Sequence, residues 1–202
     1  MSPPATPDVP VTAPTPLPPK AESVTRDGEP DGFVPQAFYQ PQLLEGGYTR
    51  LLISVPLDQL EPVHRALVSA LKPPLKFLYQ QLTDRRKGVQ LPKPRSLVAV
   101  ELPRDRVLTA LERHRHLAYH DGRHQIWVRG AAEEQLVMEE VGILFLYPDD
   151  PSFRDVLEGL GVPAGEGPTM AERDYVKVTF DANCDPEEDQ LFHDLGLVPW
   201  DA

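Results

Sequence analysis

Four of the chain's six histidines, His114, His116, His120 and His124, fall within eleven residues. Imidazoles four apart on a helix, or on alternate residues of a strand, can hold a metal ion or share a proton. Residues Leu117–Tyr119 and Gln125–Val128 read as a hairpin closed by Asp121-Gly122, the pair that a type I′ turn prefers. That register places His116, His120 and Arg123 on one face and His124 on the other. A guanidinium beside His116 and His120 disfavours a cation there, so no metal site is expected. General acid–base work would remain open to this pair if carboxylates at a strand end, Asp149 or Asp150, met it in one cleft. Solvated histidines, with Asp150 capping a helix ahead of Pro151, account for the same residues without chemistry.

Three other groups could carry a function. Lys72, Lys76, Arg85, Arg86 and Lys87 form a basic run with Phe77 and Tyr79 interleaved, the charges and rings that a nucleic-acid surface uses. Glu187, Glu188, Asp189 and Asp194 could steer a basic protein partner. Asp181-Ala182-Asn183-Cys184-Asp185 resembles the opening of a calcium loop. It then places Pro186 where glycine is needed and Phe192 where a bidentate glutamate is needed. Asp185 as N-cap with Pro186 at the first helical position is the simpler account. Cys184, crowded by carboxylates, is disfavoured as a thiolate and reads as a core residue.

The charge is sorted along the chain. The whole carries a formal net charge of −11. Residues 72–129 hold 13 basic and 5 acidic side chains, net +8, while residues 130–202 hold 3 and 18, net −15. Either the two blocks neutralise one another in the fold, or an outward negative surface survives for docking. A strongly acidic protein repels phosphate at long range, so nucleic acid is not the expected partner. One cysteine excludes an internal disulfide framework. The N-terminus MSPPATPDVP lacks the basic and apolar regions of a secretory signal, and no apolar run is long enough to span a membrane. A cytoplasmic setting without membrane association is expected.

Residues 1–31 read as a disordered proline-rich arm and residues 32–202 as one domain. The expected strands are Tyr48–Val55, Leu97–Leu102, Gln135–Met138, Ile143–Tyr147 and Tyr175–Phe180, besides the hairpin. Expected helices run over about Asp58–Leu71, Pro103–Arg113, Pro151–Leu160 and Pro186–Leu195. A short amphipathic helix is expected around Leu75, Leu78, Tyr79 and Leu82. Val55-Pro56-Leu57-Asp58, Leu102-Pro103-Arg104-Asp105 and Tyr147-Pro148-Asp149-Asp150 each end a strand and open a helix: proline stops the ladder and aspartate suits the first helical turn. The fold class is therefore α+β, with a mixed, largely antiparallel sheet and helices mainly on one face.

The reading that follows is a non-enzymatic interaction module, an adaptor, regulator or neutraliser of a basic partner protein, acting through the acidic C-terminal surface. No cofactor is expected. A small His/Asp enzyme and nucleic-acid binding through residues 72–95 are the alternatives.

Overall fold

The computed structural model describes residues 17–85, 87–177, 182 and 184–200. Its strands are β1 (Ala21–Ser23), β2 (Phe38–Leu43), β3 (Thr49–Ser54), β4 (Leu75–Asp84), β5 (Val89–Leu102), β6 (His124–Arg129), β7 (Gln135–Met138), β8 (Leu144–Tyr147), β9 (Tyr175–Lys177) and β10 (Val198–Pro199). Its α-helices are α1 (Leu57–Ala70), α2 (Arg104–Arg113), α3 (Arg115–His120), α4 (Pro151–Gly159) and α5 (Cys184–Leu195).

Eight strands form one sheet in the order β10-β5-β4-β6-β7-β8-β3-β2, with every neighbouring pair antiparallel. The fold is the expected single α+β domain. The helices cover one face. Strand alternation sends Leu51, Ile53, Phe77, Tyr79, Ile126, Val128, Leu144 and Leu146 into that core. α1 meets them with Leu60, Val63, His64, Leu67 and Val68, a stripe at helical spacing. Val137 and Phe145 point to the far face and form a smaller core with Ala21, Ile143 and Met170.

All three proline corners lie where the sequence places them, at β3–α1, β5–α2 and β8–α4. Pro56 and Pro103 are N-cap residues, and Asp150 accepts a hydrogen bond from the Ser152 amide at 2.8 Å. Prolines also sit on the sheet's borders. On β2, the Tyr39 amide and carbonyl turn outward to Pro163 and Gly165, and Pro41, the next outward position, has no N–H to offer. β5 carries Pro92 and Pro94 in its exposed half. Both borders are thus poor templates for another strand.

Four expectations are corrected. The hairpin over 117–128 does not form: Arg115–His120 is helix α3, and β6 pairs with β4 and β7. Gly122 serves close approach rather than a type I′ turn, since a Cβ there would lie 2.3 Å from the Lys20 carbonyl oxygen. Leu75 to Leu82 is strand β4, buried on both faces, so its i, i+3, i+4, i+7 apolar spacing imitates a helix. α5 begins at Cys184, so Asp185 lies in its first turn; Asp181 and Asn183 lie outside the described residues. Residues 17–31 are not a disordered arm, and residues 1–16 of the expected arm lie outside the described residues. From Leu17 onward the chain is built into the domain, with Lys20 2 % exposed and β1 paired to β9.

Candidate functional site

The segment 17–35 crosses the domain as a strap. Its first anchor is Lys20, whose Nζ donates to the Ala118 and Asp121 carbonyl oxygens at 3.0 and 2.6 Å. Burial lowers the Lys20 ammonium to about 8, against the raising influence of the Asp121 charge. Nearby, His120 Nδ1 lies 2.7 Å from the Pro18 carbonyl oxygen. The second anchor is β1 on β9. The chain then folds back on itself, with the Thr25 amide donating to the Glu29 carbonyl at 2.8 Å. Asp31 closes this loop: it accepts from Ser23 Oγ and the Phe33 amide, both at 2.9 Å, and pairs with Arg173, whose guanidinium also lies over the Phe33 ring. Removing the Lys20 ammonium leaves two carbonyls unpaired, a cost of about 1–3 kcal/mol. Lys20→Met is therefore expected to speed tryptic cleavage after exposed Arg26 by about tenfold while the far-UV spectrum stays native. An unchanged cleavage rate would mean that Lys20 does not hold the strap.

Beneath the strap lies a cavity of about 330 Å³. Ala21 and Phe33 of the strap, Val55 and Leu60 at the β3–α1 corner, Ile143 before β8, and Met170 form its apolar wall. Ser54, 2 % exposed, also faces it and makes no hydrogen bond with its hydroxyl to any described residue.

Behind Lys20 is a buried ionic cluster. Asp121, with no exposed surface, accepts from Arg85 Nη1 at 2.7 Å and from Arg123 Nε and Nη2 at 3.0 and 2.7 Å. Burial would raise this carboxyl, but the Arg123 hydrogen bonds and the Arg85 charge hold it well below the usual range. Glu188, 4 % exposed, accepts from Tyr79 Oη at 2.7 Å and Gln81 Nε2 at 2.8 Å. Arg85 Nε lies 2.8 Å from Glu188 Oε1, at ion-pair distance without hydrogen-bond alignment. Asp185 completes the cluster at 3.4 Å from both Arg85 and Arg123. His124 stacks on Tyr79 at 4.6 Å between ring centroids, and neither of its nitrogens has a hydrogen-bond partner among the described residues. Burial, with Lys20 adding to it, keeps this imidazole neutral.

Two of the four C-terminal acids, Glu188 and Asp194, are thus drawn onto the chain's own cations. Glu188 belongs to the cluster. Asp194 accepts from Arg113 Nη1 at 2.7 Å and lies 3.0 Å from His114 Nε2, while its carbonyl takes the Arg106 guanidinium. Glu187 receives the Leu117 amide at 3.1 Å. Asp189 alone of the four is exposed.

The His/Asp set is not brought together by the bonds its members make. His116 and His120 stand on one face of α3 with ring centroids 6.1 Å apart. His116 Nδ1 is 4.0 Å from Glu187, whereas Asp149 is held by Arg154 and Asp150 caps α4. The basic run is dispersed. Arg85 is internal, Lys76 sits over the Trp200 ring at 4.3 Å, and Lys87 is 3.6 Å from Asp84. Lys72 is exposed, and Arg86 lies outside the described residues. Among the described residues, no helix is long and apolar enough to cross a membrane, and no group of three or more His, Cys, Asp or Glu is placed to hold a metal ion.

No family model, curated protein or solved structure matches this chain. Its function must be read from its own geometry. Sequence reasoning missed the strap cavity because its roof was assigned to the arm. A signal was present in the alternation Lys20-Ala21-Glu22-Ser23-Val24, which suits a short half-buried strand.

Proposed function

We propose that the chain is a binding protein that takes up a small apolar molecule beneath the strap. The observation that carries this reading is the cavity itself. Its volume of about 330 Å³ falls at the small end of natural ligand sites, which run from about 300 to 1,000 Å³. Its walls come from five separated stretches of chain, so the completed fold rather than one loop defines it. The proposal keeps the non-enzymatic binding role that the sequence suggests and moves recognition away from the C-terminal acids. Glu188 and Asp194, already matched internally, lend little to docking of a basic partner. A cytoplasmic setting is part of the proposal, on the ground that a lone cysteine supplies no disulfide framework.

The neutral fluorophore N-phenyl-1-naphthylamine tests it. The native protein is expected to enhance and blue-shift its emission saturably, at one site per chain. Val34→Trp combined with Val141→Trp crowds the cavity from two sides and is expected to weaken the dye at least tenfold while circular dichroism and thermal midpoint stay near native. Dye binding that is absent, or unaffected by the two tryptophans in a folded variant, would remove the cavity reading.

A further inference from the structure

We infer that the molecule taken up beneath the strap is neutral, with an apolar body and one oxygen atom that accepts a hydrogen bond from Ser54. The inference rests on the cavity reading above and adds the chemistry of the ligand's polar end.

Three observations converge. Strand alternation in β3 sends Leu51 and Ile53 into the main core and Leu52 to the opposite face, and Ser54 shares the Leu52 side that the strap covers. Ser54 is 2 % exposed, and its hydroxyl, at the cavity wall, bonds to no described residue, so it is available to donate to a molecule held there. Secondly, α1 begins at the same end of the cavity. Its N-cap is Pro56, which supplies no side-chain acceptor to the first turn, and Leu57, the first helical residue, lines the cavity. Ser54 and the helix start both donate, so both favour a ligand oxygen. Thirdly, the charges argue against an anion. Lys20, the one cation among the described residues of the wall, already donates to the Ala118 and Asp121 carbonyls. Glu22 lines the cavity, so a carboxylate would enter beside another. A ketone, ester, amide or ether oxygen on a hydrocarbon or aromatic body meets all three conditions.

Three planar molecules of nearly equal shape separate the possibilities: acetophenone, with a neutral carbonyl; α-methylstyrene, with a methylene in its place; and benzoate, with a charge. Dissociation constants by calorimetry, or by displacement of the dye, on the full chain are expected to rank acetophenone about five- to tenfold tighter than α-methylstyrene, the size of one neutral hydrogen bond. Benzoate is expected to be weakest. Ser54→Ala, which breaks no bond in the fold, should remove the preference for acetophenone and leave α-methylstyrene unchanged, and Ser54→Thr should restore the preference. Equal affinity for acetophenone and α-methylstyrene, tightest binding of benzoate, or a preference that survives Ser54→Ala would each overturn the inference while leaving a dye-binding cavity standing. Failure of all three to displace a dye that does bind would also overturn it. Loss of dye binding itself would instead defeat the cavity reading.

Discussion

Replacing Asp121 by alanine is expected to cost about 3–5 kcal/mol of folding stability, the range for breaking a buried ion pair from one side. The carboxylate is fully buried and answers two guanidiniums, Arg85 and Arg123. Its backbone carbonyl holds Lys20 as well. With the carboxylate gone, three cations face one another in the interior, and among the described residues Glu188, Glu140 and the less buried Asp185 balance them in part. Lys87→Ala serves as the comparison: that ammonium is exposed and only 3.6 Å from a part-exposed Asp84, so about 0.5 kcal/mol or less should be lost. Urea unfolding at pH 7 measures both. A loss under about 1 kcal/mol for Asp121→Ala would show that the cluster is not what ties α3, β4, β6 and the strap together.

Acidification from pH 7 to pH 5 is expected to destabilise the fold by about 4 kcal/mol, roughly 2 from each of His64 and His124. Burial, with the nearby Lys20 charge, depresses His64 to about 3. Burial and Lys20 push His124 down in the same sense, and Asp121 only partly opposes this. In the unfolded chain both titrate near 6.5. Below that pH the unfolded chain binds protons that the folded chain refuses. Stability is therefore full above about pH 6.5 and drains as the pH falls toward the folded-state values. The groups facing His124 are Lys20 of the strap, Tyr79 of β4, Arg85 just after it, and Asp121 and Arg123 before β6. Its imidazolium would join three cations and one anion. His124→Phe keeps an aromatic ring on Tyr79 and discards nitrogens that bond to no described residue, so it should be neutral or stabilising at pH 7 and should halve the acid loss. Equal unfolding free energies at pH 7 and pH 5, or an undiminished loss in His124→Phe, would refute this.

The sequence was most informative where a local rule decides the structure. Proline followed by aspartate at the β3–α1, β5–α2 and β8–α4 corners acts on its own neighbours, and those corners form as expected. The stripe Leu60, His64 and Leu67 announced α1 for the same reason. It was least informative where distant residues decide. Leu75, Leu78, Tyr79 and Leu82 carry a helical spacing, yet the strand they form is flanked by β5 and β6 and buried on both faces, which erases the alternation that marks a strand. Asp121-Gly122 has the composition of a tight turn. Here the aspartate answers two arginines and the glycine makes room for the strap. The charge blocks were legible as segregation, and one of the two outcomes weighed for them, mutual neutralisation, describes Arg85 with Glu188 and Arg113 with Asp194. The candidate site was not legible, because a cavity formed by residues 19–23, 32–35, 54–60, 141–143 and 170 has no signature in any single stretch.

The separation between the strap and its receptors has a consequence for biogenesis. Lys20 finds its acceptor Asp121 101 positions later, and Ser23 pairs with Tyr175 of β9. A ribosome therefore delivers the roof before the surfaces that clasp it. Until β9 emerges, a nascent chain has the β3–α1 corner open to its surroundings, and a guest present during translation can settle there and be enclosed as synthesis finishes. If the cavity reading holds, loading in this way asks no opening of the mature molecule, and guest exchange afterwards would be set by how often the Lys20 clasp lets go.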